Sequence, residues 1–404
     1  MLLGLVAAGC AFDRPFPGSD LPRLGGAPRS NLAWAAVTDF DPSVDYFPDK
    51  SAFRYAEQIV VSYHGHYKRA RVTTRGVGER FEYVFVQRGT PVPRVSPDAI
   101  VVPVPVQRFS LGTYRYGGAT ERLALVDRLV GFANHTNTTV PAIRELFDRG
   151  VLARNFDIEA VMHRGTEAHF NWHFHGRLSR VNDRFARMGV PLVEMAEHLE
   201  PTPLARTEWI KFFALFFNKE AQAERLFREL EHRYDTLRAR IVRTSTTPTV
   251  LAGAPEADGW QMHGGRNVHA RMIEEAGGRY VWDDNPSQES LRTVAFEEAL
   301  VRARRADVWI IGPDTSSGPH IRESTVDDPR YGYIPAVRAG RVYVANRNYP
   351  MGPNPWWDQA LVNPDVELAD YVRMIHPDLL PDHELTLYLP LIPTIRSEAH
   401  GVGR

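Results

Sequence analysis

The sequence predicts an α/β protein of two Rossmann-like lobes joined by a long backbone helix, preceded by a small antiparallel β module. Three observations carry this. From about Val106 onward, short apolar runs alternate with amphipathic helical stretches, the pattern of parallel βαβ units. A single long amphipathic stretch divides those units into two sets of similar size. Ahead of both sets lies a segment of alternating apolar and polar residues punctuated by glycine turns. With 404 residues, 43% of them hydrophobic and 24% charged, the chain exceeds what one core usually organises.

The first segment, residues 1–30, is apolar to Gly9 and then rich in proline and glycine. The one cysteine, Cys10, excludes a disulfide framework, and the apolar run before it is too short to span a bilayer. Leu5-Val6-Ala7-Ala8-Gly9-Cys10 resembles a bacterial lipobox, which makes Cys10 the expected lipidation site and Asp13 to Ser30 a tether. An unmodified cysteine is the alternative. Residues 31–100 hold the β module: Ile59–Tyr63, a His64-Gly65 turn, Tyr67–Thr74, and Phe81–Val86. Its His64 and His66 flank a turn and are expected in solvent. The proline-bearing stretch Arg94–Pro105 reads as an extended linker.

The first lobe, 101–205, takes strands at Arg108–Leu111, Leu129–Phe132, His169–Phe174 and Pro191–Met195. The second, 244–404, takes strands at Thr249–Gly253, Tyr280–Trp282, Asp307–Ile311 and Arg341–Val344, and closes on helices near Val366–Ile375. Linker helices fill 206–243. Asn218 is expected to end the first of them, and the second, about Lys219 to Val242, places Ala223, Leu226, Phe227, Leu230, Tyr234, Leu237 and Ile241 on one stripe. At 1.5 Å per residue it is roughly 36 Å long, enough to span two lobes side by side.

In such sheets ligands sit at the carboxyl ends of the strands. That rule nominates Tyr114, Arg115 and Tyr116, then His135, His175 and Arg177 in the first lobe. In the second it nominates Trp260, His263, Asn267, Arg347, Trp356 and Trp357. Aromatic faces and guanidinium groups suit a planar or phenolate ligand. His169, His173 and His175 alternate along one strand and could face a metal together, but a middle strand covered on both sides is expected to bury His169 and His173 as hydrogen-bonded core residues. With 48 Lys and Arg against 49 Asp and Glu, a net charge of -1 offers no bulk attraction for nucleic acid. No phosphate loop, nucleophile elbow or HExxH helix is present.

Glu200-Pro201-Thr202-Pro203-Leu204-Ala205-Arg206-Thr207-Glu208-Trp209-Ile210-Lys211-Phe212, with Asp328-Pro329-Arg330-Tyr331, Gly340-Arg341-Val342-Tyr343 and Asn363-Pro364-Asp365 to Pro381, resembles the class III periplasmic binding proteins, the helical-backbone metal-receptor superfamily. The resemblance runs from about Val101 to the end of the chain. It implies a monomeric, non-catalytic substrate-binding protein of an ABC importer, extracytoplasmic and attached to the membrane through its lipid anchor alone. Its ligand would be a ferric siderophore or a related chelate, corrinoid or haem, with no resident cofactor. Its partners would be an ABC permease and ATPase complex, docked through an acidic residue of each lobe, Glu159 and Glu297. The alternatives are a metal-dependent chelatase or hydrolase on a related fold, using His175, His263 and a carboxylate, and a receptor for a bare Zn or Mn ion.

Overall fold

The computed structural model describes residues 23–75, 78–133, 138–154, 157–173, 180–241, 246–256, 259–288, 292–313, 327–348 and 352–391. A short parallel pair, β1 (Arg23–Leu24) and β2 (Ala36–Val37), precedes the module sheet of β3 (Ile59–His64), β4 (Tyr67–Thr73), β5 (Arg80–Gln87) and β6 (Ile100–Val104). β3, β4 and β5 are antiparallel, as the alternation predicts. β6 corrects the linker expectation, because Ile100–Val104 pairs in parallel with β5 and completes the module. Pro103 sits within β6 on this edge of the sheet, where a missing N–H is tolerated.

The first-lobe sheet runs β11-β10-β7-β8-β9, wholly parallel, from β7 (Phe109–Leu111), β8 (Leu129–Phe132), β9 (Ala153–Arg154), β10 (Ala168–Trp172) and β11 (Leu192–Met195). Its helices are α1 (Gly117–Arg122), α2 (Pro141–Asp148), α3 (Ile158–His163) and α4 (Arg180–Arg187). The second-lobe sheet centres on β12 (Thr249–Glu256), with β13 (Gly259–Met262) and β15 (Arg292–Val294) antiparallel on one side. β16 (Val308–Ile311), β17 (Val342–Val344) and β18 (Leu389–Pro390) continue it on the other, β14 (Arg279–Tyr280) pairs with the start of β12, and the short helix α9 (Pro335–Arg338) leads into β17.

Between the lobes lie α5 (Pro203–Leu215) and α6 (Glu220–Ile241), the second being the expected long helix. Asn218 takes a left-handed φ of 55° between them, a conformation asparagine tolerates. Its amide also accepts from Lys68 Nζ at 3.0 Å and donates to Gln87 Oε1 at 2.9 Å, so the turn is fastened to the module. The wholly buried Lys68 ammonium pairs with the buried Glu220 carboxylate.

Every residue of α5 is buried, including Arg206, Glu208 and Lys211. Buried charges persist only when paired. Arg206 pairs with Glu367 of the second lobe. Glu208 accepts from the backbone N–H groups of Arg54 at 3.0 Å, Tyr55 at 2.7 Å and Ala56 at 2.8 Å. Lys211 donates to Ala52 O at 2.8 Å and pairs with Glu208 at 3.1 Å. Glu200 takes Trp209 Nε1 at 2.9 Å and the N–H groups of Glu57 and Gln58. A strap over residues 52–58 is thereby laid along the backbone helices, with Phe53 packed on the first-lobe core and Tyr55 on the second. Arg75 adds a bond to Gln288 of the second lobe at 3.1 Å. The module is an integral brace.

Removing the carboxylate that holds the strap, by Glu208→Ala, should leave those amides without their acceptor in a buried site, take from Lys211 one of its carboxylate partners, and cost about 3 kcal/mol or more. Urea unfolding measures this; a loss under about 1 kcal/mol would mean the strap does not depend on Glu208.

Candidate functional site

The first sheet changes direction of winding at β7, since β8 follows on one side and β10 on the other. The carboxyl end of β7 is therefore the crevice. Gly112 opens it: a Cβ there would lie 2.6 Å from Asn171 Oδ1 and 2.9 Å from His169 Nε2. A 3-10 turn over Tyr114–Tyr116, started by the Thr113 side chain, then presents Arg115.

Three indoles surround the Arg115 guanidinium, with ring centroids 4.7 Å away at Trp172, 4.6 Å at Trp357 and 5.7 Å at Trp356. Trp172 ends β10, and both other tryptophans begin α10 (Trp356–Gln359). Glu197, in the turn after β11, brings a carboxylate oxygen to 3.9 Å from Arg115 and accepts from Tyr116 Oη at 3.2 Å. Burial pushes the Glu197 carboxyl up, with Arg115 opposing. Beside it Trp172 Nε1 donates to His198 Nδ1. The second lobe supplies His263 and His269, stacked at 4.2 Å, with Trp356 5.9 Å beyond. Burial pulls His269 well down, reinforced by His263, Arg206 and Arg115, so it is a neutral imidazole. The result is a cation held between flat aromatic walls, a geometry that can stack a planar ligand and pair its anionic groups.

Of the nominated residues, Tyr114, Arg115, Trp356 and Trp357 meet here, Tyr114 edge-on to Trp357 at 5.4 Å. His263 lines the second-lobe side. Asn267 serves its own helix, α7 (Val268–Glu275), by accepting from the His269 and Ala270 N–H groups. Tyr116 is a core residue, wholly buried against Phe213. Arg347 is exposed at the end of β17's loop. His135, His175, Arg177 and Cys10 lie outside the described residues. Glu159 and Glu297 are exposed in the first turns of α3 and α8 (Phe296–Ala303), the helices preceding β10 and β16.

Trp260 is corrected. The strand β12 does not stop at Gly253 but continues to Glu256 and pairs antiparallel with β13, so Trp260 lies opposite Pro255 and Val294 inside the sheet. It is fully buried, stacked on Trp309 at 5.2 Å and edge-on to Tyr331 at 5.5 Å. His169 and His173 are core residues as expected: His169 meets Ser110 Oγ at 2.8 Å and Phe185 at 4.0 Å, and burial takes its pKa down to about 3. His173 lies between Glu194 and Glu79. Among the described residues no three His, Cys, Asp or Glu side chains form a metal-ligand set. A hollow of about 530 Å³ lies on the module, lined by Val60, Arg71, Phe81 and Asp98 among others.

Trp172, Glu197, His198 and His269 were missed. The strand was expected to run to Phe174, which hid that Trp172 stands at its mouth.

The family model of the periplasmic binding proteins matches residues 180–349, from α4 through the backbone helices to β17. An uncharacterized lipoprotein of Methanocaldococcus jannaschii is 29% identical over 205 residues, 50% of this chain and 46% of that protein. A second from the same organism is 25% identical over 354 residues, 83% and 85% of the two chains. The chain thus spans about half the length of the first relative. A solved periplasmic heme binding protein from Pseudomonas aeruginosa superposes with a TM-score of 0.54 at 16% identity, over 72% of this chain and 99% of that one. The fold of this molecule is thus that of the solved periplasmic heme binding protein, two α/β lobes joined by a backbone helix.

Trp260→Ala should therefore act on stability, costing about 3–5 kcal/mol. A melting temperature equal to wild type would return Trp260 to the cleft.

Proposed function

We propose that the chain is the non-catalytic substrate-binding protein of an ABC importer, held outside the membrane by a lipid on Cys10, and that it captures an iron complex such as a ferric siderophore, or a related metal chelate, corrinoid or haem. The observation that carries the ligand class is Arg115 between Trp172 and Trp357 at the carboxyl ends of the first-lobe strands. Aromatic walls cover the flat face of a chelate, and the guanidinium neutralises its carboxylates or phenolates. The family match and the heme-binding neighbour support the transport role. Two relatives described as lipoproteins support the anchor.

Titration of the purified protein with haemin, cyanocobalamin and the ferric complex of 2,3-dihydroxybenzoate, followed by tryptophan fluorescence, tests the class. Trp357 is half-buried, so Trp357→Ala should weaken the bound probe about tenfold or more while the melting temperature stays within a few degrees. Binding of none of the three would reject the chelate class.

Glu159 and Glu297 occupy equivalent exposed places in the two lobes, and each is a candidate contact for a basic patch of the permease. Reversing both to Lys should abolish import and leave probe affinity unchanged. Wild-type import by the double reversal would remove them from the docking surface.

A further inference from the structure

Trp356 and Trp357 follow the last long strand of the second sheet, yet the helix that bears them is fastened to the first lobe. Asp358, next in sequence, is completely buried. Its Oδ2 accepts from Thr138 Oγ1 at 2.8 Å and from the Thr139 N–H at 2.6 Å, and its Oδ1 accepts from Thr139 Oγ1 at 2.6 Å. Thr138 and Thr139 stand just ahead of α2, in the first lobe. One turn beyond, Leu361 and Val362 are buried in the first-lobe core with Phe109, Tyr116 and Leu123.

The fit on the opposite side is equally close. A Cβ on Gly118 would lie 2.3 Å from the Asp358 carbonyl oxygen and 2.8 Å from Val362 Cγ2, and one on Gly117 would lie 3.3 Å from Asp358 Cβ. Two successive glycines let α1 and α10 approach to backbone contact. The turn immediately before α1 carries Arg115. One contact thus joins the element that presents the guanidinium to the element that presents its aromatic wall. On its other side α10 is tied to the second lobe, since Trp356 Nε1 donates to Glu367 Oε1 at 2.7 Å and Glu367 pairs with Arg206.

We infer that Asp358 is the positioning residue of the ligand platform: gripped by Thr138 and Thr139, it holds Trp357 over Arg115 and fixes the floor of the crevice across both lobes. This rests on the reading of the Arg115 cage as the ligand site. A charged acceptor satisfied by two hydroxyls and an amide in a dry site fixes geometry more tightly than apolar packing of the same area.

The test uses the full chain and the Thr139→Val and Thr139→Ser variants, with two readouts. Hydrogen exchange should rise over residues 354–362 in Thr139→Val, stay at the wild-type level in Thr139→Ser, and stay unchanged over the β12 and β16 strands. Affinity for the ferric 2,3-dihydroxybenzoate complex should fall about tenfold in Thr139→Val, but should fall no further when the same substitution is made in a Trp357→Ala background. An equal further loss in that background would overturn the inference, because Asp358 would then act without Trp357. Unchanged exchange over 354–362 would overturn it as well. Should Thr139→Val not fold, Gly118→Ala crowds the same contact from the other side and the same outcomes decide. If the wild-type chain does not bind this complex, that particular ligand is rejected and the exchange measurement alone decides the clamp.

Discussion

The structure depends on a helix that has no solvent face. α5 carries Arg206, Glu208 and Lys211 into the interior, and each charge is matched by a group from a different part of the chain: Glu367 from the last helix, backbone amides 54–56 from the amino-terminal strap, and the Ala52 carbonyl together with Glu208. An unmatched charge in that position would cost several kcal/mol, so the helix can be buried only when all three regions are in place. Helix, module and both lobes are therefore one cooperative unit.

That arrangement changes the meaning of the β module. Its outer strands resemble an appendage in the sequence, because alternation and glycine turns describe a small sheet that could fold by itself. What the alternation does not carry is the strap between Ser51 and Gln58, whose bonds are to carboxylates lying more than a hundred residues away. The strap runs beside α6 and touches both lobe cores, so the lobes are linked by more than a single strut.

Much of the architecture was legible. β8 was read to the residue, and β7, β11, β16 and β17 to within one residue at each end, because short apolar runs flanked by polar turns have few other places to go in a doubly covered sheet. The length of α6 followed from its stripe. Two kinds of feature were not legible. Hairpin extension is one: β12 passes its expected end at Gly253, where φ is 126°, and glycine there reads as a stop although it serves a close approach to Gln261. Long-range pairing is the other. Nothing in the local sequence tells that Arg206, Glu208 and Lys211 find distant partners inside the protein, or that Asp358 lies against a glycine pair of the other lobe. The site was half visible for the same reason, since strand ends nominate Arg115 but cannot say which indoles will surround it.

The burial of Leu361 and Val362 among first-lobe residues has a consequence for biosynthesis. A ribosome delivers the amino-terminal lobe long before these two side chains, and before Glu367, which α5 needs for Arg206. Until the last portion of the chain is made, the first lobe has an incomplete core and an uncompensated buried cation. Folding lobe by lobe in order of synthesis is thus unfavourable, and the two lobes collapse as a whole once the last portion of the chain is present.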